Sequence, residues 1–283
     1  MKLVLVPLVS VVLAAAAAAQ AQPQEALGVD WAGLVYRWDS STISGPQLVG
    51  DTGLHQVNSL ASDSRGTIFT AGTYNAPGLQ QESIYQLDRD TGEVTLALGT
   101  DLPEIRGLAF APDDTLFGLV SFNWSDGPFY LYEFDLAAGD YREIGNTQSV
   151  IQALAFGDGT LYGWKLATES SLSRGLITID TTTAQVTDVN PVSDPAINVQ
   201  GLAFQPDGRL YGAGTHIYTV DPATGAADRI GALGAYVRGL EFLPPLTGSK
   251  ADATARRDGS GSRGLPAQHR PVPAALPTRR RSE

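Results

Sequence analysis

Cysteine is absent from this sequence, and histidine occurs only three times in 283 residues. The first absence excludes thiol nucleophiles, disulfide staples, cysteine-ligated zinc and a lipid-modified N-terminal cysteine. The second leaves His55, His216 and His269 without any His/Asp/Glu spacing that suggests a metal cluster. Also missing is any stretch that keeps a 3.6-residue apolar period, so helical solenoids and bundles are excluded. No Gly-rich phosphate loop precedes a helix, and Ser170, Ser171 and Ser173 lack a nucleophile-elbow context. Beyond the N-terminus, no apolar run is long enough to span a bilayer.

Basic residues are scarce where the chain is longest. Residues 22–245 carry 10 Lys and Arg against 27 Asp and Glu, whereas residues 246–283 carry 8 against 3. An acidic body of this kind repels phosphate backbones, which argues against nucleic acid as a partner. The basic tail holds Gly-Ser-Gly-Ser and Pro-Val-Pro-Ala-Ala-Leu-Pro with few large apolar residues, the composition of a disordered segment.

The N-terminus reads as a secretory signal. Lys2 precedes the uncharged apolar run Leu3 to Ala19, and Ala19-Gln20-Ala21 offers a small-x-small cleavage site. A transmembrane helix is the rival interpretation of this run; the polar Gln-Ala-Gln-Pro-Gln that follows favours cleavage. The expected division is a signal peptide over 1–21, one domain over 22–245 and the tail over 246–283, with a secreted or periplasmic location.

What the sequence has in abundance is repetition. One pattern runs apolar, polar, small and Leu, usually with an aromatic two places on: Ile105 to Phe110, Ile151 to Phe156, Val199 to Phe204, Val237 to Phe242, and a weaker copy, Val57 to Ser62. The copies are spaced at 38 to 48 residues. A second pattern follows a tight turn: Thr67-Ile68-Phe69, Thr115-Leu116-Phe117, Thr160-Leu161-Tyr162 and Arg209-Leu210-Tyr211. The intervening Pro112-Asp113-Asp114, Gly157-Asp158-Gly159 and Pro206-Asp207-Gly208 tolerate positive φ, so the two patterns should be antiparallel hairpin neighbours. A third pattern ends in Asp39, Asp88, Asp135, Asp180 or Asp221, and a fourth short strand follows, as at Glu93 to Leu98.

Four antiparallel strands per repeat of about 45 residues make a β-propeller blade. The chain begins with a strand of the third type and ends with one of the first type, so the two termini should share one blade and close the ring. Ala26 to Trp31 is the candidate for that blade's second strand. The expected fold is all-β with about five blades, six being the alternative. The sequence resembles bacterial secreted propellers carrying Leu-Ala-Phe-x-Pro-Asp-Gly and Tyr-x-x-Asp-x-x-Thr-Gly signatures, of NHL, YVTN and related types. That resemblance covers residues 27–245 and implies an architecture; for activity it leaves open glycosidase and calcium-dependent lactonase chemistry.

The strand-ending aspartates invite a reading as a metal or acid ring, yet residues repeated in every blade serve the blade, here by accepting N–H bonds from the following turn. Asn58, Arg106, Gln152, Gln200 and Arg238 differ: they are the polar second residues of all five first strands and should ring one mouth of the axial channel. Two arginines and three amides would suit a carboxylate, a uronic acid or an acidic side chain; the alternative is that they bond carbonyls between blades. A loop with Phe122, Trp124, Phe129 and Tyr130 beside polar groups offers a second binding candidate, centred on Trp124. Glu104 and Glu241 would be the first acids to consider for a catalytic pair. The expectation is a monomeric, non-catalytic binding or scaffold propeller for a glycan, peptide or protein, needing no cofactor, with calcium left open. The alternative is a propeller hydrolase or lyase using axial carboxylates.

Overall fold

The computed structural model describes residues 24–40, 43, 45–74, 81–123, 127, 129–168 and 171–243. The proposed signal peptide, the tail and Trp124 lie outside these residues. Twenty strands form five four-stranded antiparallel sheets, and there is no helix among the described residues. Blade 1 comprises β4 (Ala61–Ser62), β5 (Ile68–Gly72), β6 (Ser83–Leu87) and β7 (Val94–Leu98). Blade 2 comprises β8 (Ile105–Phe110), β9 (Leu116–Val120), β10 (Tyr130–Asp135) and β11 (Asp140–Asn146). Blade 3 runs through β12 (Ile151–Gly157), β13 (Thr160–Lys165), β14 (Gly175–Ile179) and β15 (Val186–Asp188), and blade 4 through β16 (Gly201–Phe204), β17 (Leu210–Ala213), β18 (His216–Val220) and β19 (Ala227–Ala232).

The fifth sheet joins the two ends of the chain. Its order is β20 (Val237–Phe242), β1 (Glu25–Asp30), β2 (Leu34–Asp39) and β3 (Gln47–Asp51). Leu240 lies opposite Gly28 and Phe242 opposite Ala26, so the last strand supplies the innermost edge of a blade started by the first three. The chain is a five-bladed β-propeller. Closure of this kind leaves no open seam in the ring.

Each part of the repeat has a packing reason. Five apolar clusters lie one at each blade–blade joint. In four joints the aromatic that ends one innermost strand packs on the aromatic of the preceding blade's second strand. The pairs are Phe110 on Phe69, Phe156 on Phe117, Phe204 on Tyr162 and Phe242 on Tyr211, with ring centroids 5.3, 6.4, 5.5 and 4.9 Å apart. The small third residue is set by the neighbouring backbone. A Cβ on Gly239 would lie 2.6 Å from the carbonyl carbon of Ser59, and one on Gly201 would lie 2.8 Å from the amide nitrogen of Leu240.

The weak first copy is also weak as a strand. Only Ala61 and Ser62 pair with β5, although the pattern begins at Val57. Upstream, the Thr70 hydroxyl donates to the Ser59 carbonyl at 2.7 Å and the Asn58 amide donates to the Gln56 carbonyl at 3.0 Å, bonds that stand in for ladder contacts. The strand-ending aspartates build turns. Asp88, Asp135 and Asp180 each accept two successive backbone N–H groups two and three residues on. Asp221 accepts from the Ala223 amide and the Thr224 hydroxyl. The Thr182 hydroxyl, together with the turn amides, lowers the pKa of Asp180 to about 2.

Candidate functional site: the upper mouth of the channel

The innermost strands β4, β8, β12, β16 and β20 line the axis. The mouth where they begin is termed upper and the mouth where they end lower. All five polar second residues stand at the upper mouth, where Asn58, Gln200 and Arg238 border a constriction of about 10 Å³. Below it, Leu60, Leu108, Leu154, Leu202 and Leu240 form a buried apolar ring.

Bulges re-aim part of the ring. Gly107 is an extra residue between the pairs Arg106–Leu119 and Leu108–Gly118, and Gln152 is an extra residue between Ile151–Lys165 and Ala153–Trp164. Simple alternation therefore misplaces Arg106 and Gln152; the bulge turns them toward each other across the joint of blades 2 and 3. Arg106 donates to Gln152 Oε1 at 2.8 Å and, through Nε, to Glu104 Oε1 at 2.6 Å. Its guanidinium also lies 5.5 Å from the Phe129 ring centroid, and only 6% of the residue is exposed. Arg106 is thus a neutralised, packed cation.

Arg238 has a different environment. Its guanidinium lies 4.6 Å from the Trp31 ring centroid and 5.1 Å from that of Tyr236. One terminal nitrogen donates to Asn58 Oδ1 at 3.2 Å, joining the composite blade to blade 1. Its Nε is buried without a partner, and no ion pair to Arg238 is formed among the described residues. Burial, opposed by Tyr236, lowers its pKa; an arginine nevertheless keeps its charge. Gln200 completes the ring by donating to Asn198 Oδ1 at 2.6 Å, and Asn198 in turn donates to the Tyr236 hydroxyl at 3.1 Å.

Two acids stand behind this ring. Glu104 precedes β8 and Glu82 precedes β6, and they are 2% and 0% exposed. Glu82 accepts the Ile105 amide at 2.7 Å. Burial, with the nearby charge of Glu104 adding to it, pushes Glu82 well above the usual carboxylate range. One oxygen of each carboxyl is buried without a partner. Glu241 is not their neighbour. It lies on the opposite side of the leucine ring, roughly 13 to 16 Å along the strand direction from Glu104, so the two acids first considered as a pair stand at opposite mouths.

Sequence reasoning placed Asn58, Arg106, Gln152, Gln200 and Arg238 around one mouth but did not single out Trp31, Tyr236 or Glu82. Tyr236 directly precedes the first-strand pattern and could have been found there; Trp31 and Glu82 follow or precede other strands and carry no local signal. Phe122 is half exposed and edge-on to Tyr130, whereas Phe129 is fully buried. No group of three or more His, Asp or Glu able to hold a metal ion occurs among the described residues.

No protein-family model matches the chain, and no curated protein matches it. Among solved structures it is similar to TolB from Acinetobacter baumannii, at 15% identity and a TM-score of 0.49, over 74% of this chain and 53% of that one. It thus spans about half of that protein. It is also similar to a gluconolactonase from Xanthomonas campestris, at 15% identity and a TM-score of 0.49, over 77% of this chain and 79% of that one. A symmetrical protein from work on de novo evolutionary emergence aligns at 18% identity and a TM-score of 0.49, covering 78% and 99% of the two chains. Likenesses this remote carry no argument about activity, which rests on the site itself.

Proposed function

We propose that the protein is an exported, non-catalytic binding propeller whose upper mouth grips a carboxylate-bearing ligand, a uronic-acid glycan first and an acidic peptide or protein segment second. The observation that carries this reading is Arg238: a desolvated cation flanked by Trp31 and Tyr236, with an unpartnered buried N–H and no acid paired to it. A guanidinium in that state gains more from a carboxylate than one free in water, because its solvation has already been reduced. The aromatic rings supply apolar contact for a sugar face, and Asn58, Asn198 and Gln200 supply amides beside it. With Arg106 offset by Glu104, Arg238 is the cation of this mouth that no ion pair compensates among the described residues.

The hydrolase or lyase alternative would draw on Glu82 and Glu104. Both are buried, and Glu104 is held by Arg106, so neither stands free beside open space as a general acid or nucleophile must. An array of oligosaccharides matched in size, half carrying uronic acids and half neutral, tests the proposal. Binding confined to the acidic members, with a change in tryptophan fluorescence from Trp31, is expected; equal binding of neutral members, or turnover of any of them, would overturn it.

A further inference from the structure

The lower half of the channel breaks the symmetry of the repeat in one place. At the fifth position of the innermost strand, four blades carry Ala61, Ala109, Ala155 and Ala203, and the composite blade carries Glu241. Across the ladder these face Phe69, Phe117, Tyr162, Tyr211 and Leu27. In four joints the alanine leaves room for a phenylalanine of the next blade. In the fifth the next blade offers only Ser62, and Glu241 extends to bond it and the Phe242 amide. The joint thus exchanges small-plus-large for large-plus-small, and in doing so replaces a hydrocarbon pair by an acid.

The carboxyl borders a cavity of about 160 Å³, also lined by Phe110, Phe156, Phe204 and the alanines. Glu241 keeps some exposed surface, but that surface faces the cavity within the ring, so the carboxyl is poorly solvated and burial pushes it up to about 8. No other titratable side chain lines the cavity, and no charged group contributes to the shift. Alanine serves this position in four blades, so the fold itself does not demand an acid there.

We infer that the lower mouth is a second binding site, for a small organic cation of the alkylammonium class, with Glu241 as its counter-ion and Phe110, Phe156 and Phe204 as its apolar wall. The chemistry requires both parts. A carboxylate in a poorly hydrated cavity is costly unless a cation accompanies it, and aromatic rings accept a desolvated ammonium where they would reject a strongly hydrated metal ion. The space equals that of about five water molecules, enough for a substituted ammonium head. The leucine ring separates this cavity from the upper mouth, so the inference does not depend on carboxylate recognition there.

Tetramethylammonium is the probe, because its charge does not change with pH; tert-butanol is its neutral counterpart. Calorimetric titration of the whole chain should show saturable tetramethylammonium binding at pH 9 that weakens about tenfold per pH unit below 8 as Glu241 takes up its proton. Glu241→Gln, which keeps size and can still accept from Ser62, should abolish binding at pH 9, and tert-butanol should not bind. The wild-type pH profile stands even if the variant folds poorly. Absence of saturable binding at pH 9, binding that is flat with pH, or equal binding of tert-butanol would each overturn the inference and leave Glu241 a hydrated joint residue only.

Discussion

Replacing Glu241 by glutamine removes an ionisable proton at almost constant volume, which makes it a direct probe of how well the ring interior is solvated. The carboxyl ionises at 4.5 in an unstructured chain and at about 8 in the folded ring, with burial as the leading cause. A raised carboxylate value means that the unfolded state releases its proton first. Stability is therefore unaffected below pH 4.5, falls as pH rises from there, and levels off above 8. At about 1.36 kcal/mol per pH unit, the penalty is about 3 kcal/mol at pH 7 and approaches about 5 kcal/mol above pH 8. Glutamine carries no such penalty. In urea unfolding followed by tryptophan fluorescence, Glu241→Gln should be level with the wild type at pH 4 and more stable by about 3 kcal/mol at pH 7. Measuring the difference between the two proteins cancels the titration of the many surface acids. A gap that is constant with pH, or that widens as pH falls, would refute the claim that this carboxyl is held in a poorly solvated cavity.

Further outcomes follow from the same packing. Converting the odd joint to the common form, Glu241→Ala with Ser62→Phe, should be more stable than either single change. The single changes leave a void or a clash, and a double-mutant cycle on unfolding free energies reads the coupling. Arg106→Ala should destabilise the fold by about 3–5 kcal/mol in the same assay, since it strands Glu104 as a buried unpaired charge. Asp180→Ala should lower the melting temperature at pH 7. That difference should shrink as pH falls through about 2, where the wild-type carboxylate is itself protonated and releases its turn amides. Deleting Val237–Phe242 should abolish a cooperative melting transition, because it uncovers the edge of β1 and the apolar faces at two joints, whereas removing 246–283 should leave the transition in place.

The architecture was legible because a propeller repeats its local rules. Leu-Ala-Phe followed by Asp-Gly marks an innermost strand and its hairpin, and the aromatic two places after Leu is needed at nearly every joint. The closure was legible from strand order alone, and Ala26 to Trp31 differs from β1 by a single residue at each end. The exception at Ser62 and Glu241 was also visible, as departures in the two copies that meet at one joint, but only the ring brings residues 179 positions apart into contact. The mouth was half legible. Its five polar residues share a repeat position, which sequence reports; which arginine is free depends on Glu104, Gln152, Trp31 and Tyr236, contributed by different loops and blades. Glu82 left no trace, because its role comes from a bond to Ile105 of the next blade rather than from its own neighbours.

The most direct test of carboxylate recognition is titration of an acidic oligosaccharide into the wild type and Arg238→Ala, with unfolding measured in parallel. Wild-type binding should weaken roughly 30-fold or more in the variant, which is about 2 kcal/mol, while the melting transition stays cooperative. Arg238→Lys should recover part of the loss, since it restores charge without the two-pronged geometry. Unchanged affinity in Arg238→Ala, with the ring still folded, would contradict the assignment of the upper mouth as the binding site.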